Sequence, residues 1–221
     1  MTAPSPLWST LTQPLIRQNP VTLQILGICS ALAVTTQLPT ALTMAGSLTI
    51  VLALSAGIIS LIRRHIPDAI RLIVQIVIVA SLVIVIDQLL QAYLFEISQS
   101  LSVFVSLITT NCLVLGRTES FARHNPPLPS MIDALGNGLG YSLVLIAIGA
   151  VRELFGAGTL LGYQVLPLAE QGGWFTPLAL MMLAPSAFFL LGGLVWAIRT
   201  VRPEQAEPPE FAAPQIPEGM E

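Results

Sequence analysis

Lysine is absent from this 221-residue chain, and all nine basic residues are arginine. Charge of either sign is scarce: 10% of the residues are charged, against about 25% in a soluble domain. No basic face exists, which excludes nucleic-acid binding. Two cysteines are too few for a disulfide scaffold. Neither a His-Glu-x-x-His helix, a phosphate-binding P-loop nor a Gly-x-Ser-x-Gly elbow occurs, so a self-standing soluble active site is not expected. The first 16 residues hold no basic residue and no continuous apolar core, which predicts a retained N-terminus rather than a cleaved signal peptide.

What the chain has is apolar surface. Hydrophobic residues make up 54% of it, and the mean hydropathy is +0.79. Such a surface needs a lipid bilayer as its solvent. Charges and prolines mark six apolar segments, at about 20–38, 40–62, 69–93, 98–116, 132–155 and 175–198. Each approaches the roughly 20 residues that a membrane-spanning helix needs, the first and fourth being short and polar. The fold class predicted is an all-α integral membrane protein with six transmembrane helices.

Six spans put both termini on one side. Arg17, Arg63, Arg64, Arg71, Arg117, Arg123, Arg199 and Arg202 then share that side, and only Arg152 falls on the other. The positive-inside rule makes the arginine-rich side cytoplasmic, with both termini. Residues 1–19, with Trp8, read as an interfacial lead-in, 20–199 as the membrane domain, and 200–221 as a disordered tail rich in Pro and Glu. Trp174 suits the aromatic belt of the long outer loop.

Segments one and four resemble each other weakly: both are rich in Thr, Ser and Gln and carry one cysteine. Three helices separate their starts, so the repeats, about 20–95 and 96–199, would be inverted relative to each other. Helices 1 and 4 then read as interrupted half-helix elements, which in such repeats mark a functional site near the midplane. Thr22, Gln24, Thr35 and Thr36, with Ser106, Thr109, Thr110 and Asn111, should be buried in protein rather than face lipid.

Cys29 and Cys112 lie at bilayer depth and can approach each other. They read as buried small apolar residues, as a disulfide, or as metal ligands. Thiolates select zinc, copper(I) or iron–sulfur clusters. A binuclear cluster needs four thiolates, so a second subunit would have to complete one. Gly27 would let a backbone or a cluster approach closely, or is a packing position. Asn111 could donate hydrogen bonds to sulfur.

Asp87 and Asp133 are the acids nearest hydrocarbon, where ionisable side chains tend to be functional. They read as a cation entry and exit pair or as structural groups, with Ser130–Asp133 fitting a capping pattern. Arg152 and Glu153 read as interface anchors, and His65 and His124 as solvated loop residues. Gly136-Asn137-Gly138-Leu139-Gly140 lies inside a membrane segment, so Gly136 and Gly140 read as a close-packing pair rather than a phosphate loop.

Two stretches are specific: Leu26-Gly27-Ile28-Cys29-Ser30-Ala31-Leu32-Ala33-Val34-Thr35 and Thr110-Asn111-Cys112-Leu113-Val114-Leu115-Gly116-Arg117-Thr118-Glu119. Both resemble signatures of the paired D-type and E-type membrane subunits of the Na+-translocating NADH:quinone oxidoreductase and their Rnf counterparts. The likeness runs from about Asn19 to Gln205. Asn137-Gly138-Leu139-Gly140-Tyr141, Leu183-Ala184-Pro185-Ser186-Ala187-Phe188-Phe189 and Trp196-Ala197-Ile198-Arg199 are more similar to the D branch of the Na+-translocating complex than to the Rnf relatives.

The resemblance implies a bacterial inner-membrane location and Cys29 and Cys112 as ligands of an intramembrane [2Fe-2S] cluster, with the E-type subunit supplying the other two cysteines. It implies the A-, B-, C-, E- and F-type subunits of the complex as partners, the E-type the nearest. Electrons would run from the NADH-oxidising F-type subunit through this centre to a covalent FMN in the C-type subunit. They would continue through the B-type subunit to ubiquinone, while Na+ leaves the cytoplasm. FMN, FAD, riboflavin and ubiquinone are implied for the complex and none for this chain, which lacks a flavin-attachment signature. Asp87 and Asp133 fall where family members carry membrane acids. Two other readings compete: an E-type subunit of an Rnf complex, and an inverted-repeat transporter with structural cysteines.

Overall fold

In a computed structural model of the chain, the described residues are Leu11, Pro14, 19–21, 23–67, 70–93, 107–161, 163–164 and 178–201. The helices are α1 (Ile28–Val34), α2 (Leu38–Ile62), α3 (Arg71–Tyr93), α4 (Cys112–Arg117), α5 (Pro127–Ala157), α6 (Ala179–Met182) and α7 (Ala184–Val201). A π-helical turn, Thr118–Ala122, continues α4. The chain is mostly helical rather than wholly so: β1 (Thr159–Leu160) and β2 (Tyr163–Gln164) form a small antiparallel hairpin in the loop after α5.

Among the described residues three helices, α2, α3 and α5, are long and apolar enough to cross a membrane. The other three expected segments are interrupted. In the first, Ile25 and Gly27 adopt positive φ (54° and 81°), so a helix forms only from Ile28 and ends at Val34. In the fourth, extended Asn111 separates the helical residues 107–109 from α4. In the sixth, extended Leu183 parts α6 from α7, just ahead of Pro185.

The core is an antiparallel pair, α2 against α5. At one end the Leu38 N–H donates to Glu153 Oε2 at 2.6 Å. Midway the hydroxyls of Thr49 and Ser142 lie 3.3 Å apart. At the other end Ser60 Oγ donates to the Asn125 carbonyl at 2.5 Å. Buried Leu48, Leu52, Tyr141, Leu145 and Ile148 fill the space between. α3 buries Gln75, Val79 and Val83, one helical stripe, and exposes Leu72, Ile73, Val77, Ile84, Val85 and Leu89. An apolar face of that width on a membrane-length helix suits contact with lipid.

Gly136 and Gly140 do form a close-packing pair, and their neighbour is the N-terminal segment. A Cβ on Gly136 would stand 2.8 Å from the Leu11 carbonyl oxygen, and one on Gly140 2.6 Å from that of Pro14. Asn19 Nδ2 then donates to the Gly140 carbonyl at 2.9 Å. At Leu11 and Pro14 the lead-in therefore packs against the helix bundle.

Several expectations are corrected. α5 begins at Pro127, not near Ile132, and has no side-chain cap. Ser130 Oγ instead donates back to the Pro126 carbonyl at 2.9 Å, and Asp133 pairs elsewhere, so Ser130–Asp133 is no capping box. α7 continues to Val201, so the last apolar helix ends beyond residue 198 and takes in 200 and 201. Arg152 and Glu153 are buried in the bundle rather than anchored at an interface. Of the polar residues expected inside protein, Thr35 and Asn111 are buried and Thr36 and Thr109 half-buried, but Gln24 and Thr110 are exposed. Those two flank the cysteine loops. Trp8, Arg17, Thr22, Ser106, Trp174, Arg202 and the tail after it lie outside the described residues.

Candidate metal centre

Each cysteine opens a short helix. Cys29 is the second residue of α1, and Cys112 is the first of α4. Both follow a break in the backbone, the left-handed Gly27 in one case and the extended Asn111 in the other. The two loops meet. Gly27, Cys29, Ser30, Leu107, Thr110, Asn111 and Cys112 line a single cleft. Both thiols are free and exposed on the chain's surface. Within this chain the two cysteines are neither buried nor bridged.

A buried network fixes the two loops to each other and to α5. Asn111 Nδ2 donates to Ser30 Oγ at 2.8 Å. Asn111 Oδ1 accepts from the Leu113 N–H at 2.8 Å, capping α4. The hydroxyls of Ser30 and Tyr141 are 2.5 Å apart. Ser30 Oγ and Tyr141 Oη both reach the Gly27 carbonyl, at 3.0 and 3.3 Å. Tyr141 is wholly buried near the middle of the 31-residue α5. The cysteine loops therefore sit at mid-length of a membrane-long helix. The requirement for glycine at 27 is double: its φ is +81°, and a Cβ there would lie 2.7 Å from Tyr141 Cε2.

The far end of α1 is held by Arg152, whose side chain is wholly buried. Its Nε donates to the Met181 carbonyl at 3.1 Å, and Nη2 to those of Met182 and Leu183 at 3.1 and 3.2 Å. Nη1 donates to Thr35 Oγ1 at 2.7 Å and to the Leu32 carbonyl at 3.3 Å. Every N–H of the guanidinium is thus used. Leu32 and Met182 lie in the last turns of α1 and α6, whose carbonyls a helix leaves unpaired, and the Met181 and Leu183 carbonyls also accept from Ser186. One buried cation joins two interrupted segments.

Asp87 and Asp133 have separate partners. Gln91 Nε2 donates to Asp87 Oδ2 at 2.8 Å, one turn further along α3. Both Asp133 oxygens accept from Arg117, Oδ2 from Nε at 3.1 Å and Oδ1 from Nη2 at 2.5 Å. This pair ties α4 to α5. His65 and His124 are exposed, as expected of loop residues.

Sequence reasoning passed over Ser30, Tyr141, Arg117 as a partner, and the structural weight of Arg152. The signal for Arg152 was present, since an ionisable residue in an apolar segment is a site candidate by default. Nothing in the sequence pointed to Tyr141 reaching the Gly27 carbonyl.

The donor set is incomplete for a metal. Among the described residues no three of His, Cys, Asp and Glu converge. Two exposed thiols beside one cleft fit half of a four-thiolate cluster, with the open side available to a second chain.

Residues 7–195 match the Rnf-Nqr family, described as "Rnf-Nqr subunit, membrane protein". The chain is similar to the D subunit of the Na(+)-translocating NADH-quinone reductase of Psychromonas ingrahamii, with 56% identity over 202 residues, covering 91% of this chain and 96% of that protein. It is 58% identical over 201 residues to the D subunit of Shewanella putrefaciens, with 91% and 96% covered. To that of Pseudoalteromonas atlantica it is 59% identical over 197 residues, with 89% and 94% covered. On a family match over nearly the whole chain and relatives of this identity, the chain belongs to the Rnf-Nqr family of membrane-protein subunits.

Proposed function

We propose that this chain is the D-type membrane subunit of a Na+-pumping NADH:quinone reductase, an oxidoreductase that it serves without being catalytic alone. Cys29 and Cys112 supply two of the four thiolates of a [2Fe-2S] cluster, and the E-type subunit supplies the others. The observation that carries this reading is that both cysteines open helices on one cleft and are exposed on the surface of a chain whose long helices are apolar. When bound, the cluster provides a one-electron relay between the F-type subunit and the covalent FMN of the C-type subunit.

The chain's own residues hold and shield that position. Gly27 lets the Cys29 loop lie against Tyr141, and Ser30 and Asn111 fix its relation to the Cys112 loop. Six spans in two inverted repeats, about 20–95 and 96–199, fit the matching breaks before Cys29 and Cys112 and the antiparallel packing of α2 on α5. The arginine distribution favours cytoplasmic termini in a bacterial inner membrane. FMN, FAD, riboflavin and ubiquinone belong to other members of the complex, among its A-, B-, C- and F-type subunits. Asp87 and Asp133 are candidates for the Na+ path. Asp133 can take part only when its pair with Arg117 opens.

The test is to purify the whole complex with Cys29→Ala or Cys112→Ala and measure iron, the paramagnetic-resonance spectrum after reduction, and electron transfer from NADH to quinone. Either substitution is expected to remove the cluster's iron and signal and to block transfer beyond the F-type subunit, while the flavins stay bound. Unchanged iron and rates would leave the cysteines structural and favour the transporter-like reading.

A further inference from the structure

Each cysteine helix has its own tie to α5. For α4 it is the pair of Arg117 with Asp133. For the start of α1 it is a single hydroxyl. Tyr141 Oη, buried at mid-length of α5, reaches Ser30 Oγ at 2.5 Å and the Gly27 carbonyl at 3.3 Å. Ser30 Oγ also reaches the Gly27 carbonyl at 3.0 Å and accepts from Asn111 Nδ2 at 2.8 Å. One serine oxygen thus joins α5, the residue after Cys29 and the residue before Cys112.

Proton counting limits what the two hydroxyls can do. Each carries one proton. One proton lies in the contact between the two oxygens, and the other goes to the Gly27 carbonyl, which both oxygens reach. That holds whether Tyr141 donates to Ser30 or Ser30 to Tyr141. In neither arrangement is a proton left for a sulfur in the cleft, so the pair supplies position rather than a bond to a thiolate. The ring has a separate duty: it fills the space that a Cβ on Gly27 would need, 2.7 Å from Cε2 and 3.3 Å from Cδ2. Phenylalanine at 141 would keep that contact. Ser30 would still donate to the Gly27 carbonyl, and Asn111 to Ser30, so these buried groups keep a partner. What is lost is the hydrogen bond from the Cys29 loop to α5.

We infer that the Tyr141 hydroxyl is a positioning group for the cluster site. It ties the Cys29 loop to α5, the helix that also holds the Cys112 helix, and so fixes the two thiols relative to each other. This rests on the cluster reading of the cysteines given above. Groups that lock the ligands of a metal site govern its geometry and its tuning without touching the metal. In an iron–sulfur site the properties so governed are the reduction potential and the spectrum, because both follow the hydrogen bonding and solvent exposure around the sulfurs. Loosening the Cys29 loop turns one well-defined site into a spread of slightly different ones.

The experiment uses the intact complex carrying Tyr141→Phe, with Ile148→Ala as the comparison, a buried core substitution that removes no bond of the network. Iron, bound flavin and the thermal unfolding midpoint are measured first. The paramagnetic-resonance linewidth of the reduced cluster and its redox titration follow. Tyr141→Phe is expected to keep its flavins, to broaden the resonance, to spread the titration beyond the width of a single one-electron step, and to release iron to a chelator about tenfold faster. Ile148→Ala should lower the unfolding midpoint and leave linewidth and titration as they were. Loss of iron in Tyr141→Phe, with flavins bound and iron retained in Ile148→Ala, supports the same conclusion. Ser30→Ala removes the other end of the bond and should broaden the resonance at least as much, which keeps the test open if Tyr141→Phe fails to assemble. Native linewidth and titration in Tyr141→Phe or, where that variant does not assemble, in Ser30→Ala would overturn the inference, as would equal broadening in Ile148→Ala. Iron unchanged by Cys29→Ala would instead remove the cluster reading itself.

Discussion

The Asn111 amide donates to the Ser30 hydroxyl at 2.8 Å, joining the residue before Cys112 to the residue after Cys29. The bond ties the two cysteine loops to each other directly, beside the contacts that each makes with Tyr141 or its neighbours. Asn111 also caps α4 through the Leu113 N–H. Its loss should thus exceed that of Ser30. Asn111→Ala is expected to cost about 1–2 kcal/mol, from the cap and the strut together. A double-mutant cycle with Ser30→Ala should give a coupling near ~1 kcal/mol in thermal unfolding of the complex. Strictly additive effects would mean that the bond does not join the two loops in the membrane.

Gly27 faces two obstacles to any side chain, its left-handed φ and the Tyr141 ring edge 2.7 Å from where a Cβ would stand. The ring is fully buried and hydrogen-bonded, so it has little room to move aside. Gly27→Ala is expected to destabilise the α1 entry by about 1–3 kcal/mol and to lower iron occupancy at unchanged Cys29. Combining it with Tyr141→Leu should recover part of the loss if contact with the ring is the cause. No recovery in iron content would assign the whole effect to φ.

Much of this arrangement is legible in the sequence. The three long helices follow from apolar length alone, and α2 and α3 begin and end within about two residues of expectation. The matching polar character of segments one and four agrees with the interruption of both. What the sequence conceals is long-range pairing. Arg152 and Glu153 are adjacent, and one binds the ends of α1 and α6 while the other receives the first N–H of α2. Ser130–Asp133 has the spacing of a cap, yet Asp133 is taken by Arg117, a residue in another helix. Local patterns specify local bonds, and the tertiary partner of a charge is not among them. The exposure of Gln24 and Thr110 departs from expectation for a related reason: polar residues at bilayer depth need protein around them, but that protein need not be the same chain.

Arg152 should be the least replaceable charge in the fold. Replacement by methionine removes all its N–H donors and leaves the Met181, Met182, Leu183 and Leu32 carbonyls without that partner. The Met181 and Leu183 carbonyls keep Ser186 as a donor, and each buried acceptor left with none costs about 1–3 kcal/mol. Arg152→Met is expected to prevent accumulation of the folded chain in the membrane. Arg152→Lys keeps the charge and part of the donor set, and should yield a folded complex with a lower unfolding midpoint. Normal accumulation of the methionine variant would show that those carbonyls find other partners.

Asp133 and Arg117 form a bidentate pair that is mostly buried, 6% and 16% of their side chains being accessible. Removing one partner strands the other, which costs about 3–5 kcal/mol, whereas replacing both with neutral groups is often tolerated. Asp133→Asn alone should therefore lower the unfolding midpoint more than Asp133→Asn combined with Arg117→Gln. That ordering separates architecture from transport. The double variant restores stability without restoring the carboxylate, so its quinone reductase activity can be read against Na+ concentration in a folded complex. If Asp133 lies on the cation path, the Na+ concentration for half-maximal activity rises in the double variant as in the single one. A normal Na+ response in the double variant would confine the pair to holding α4 against α5, and would leave Asp87, whose oxygen is met only by Gln91 among the described residues, as the other of the two proposed acids for that role.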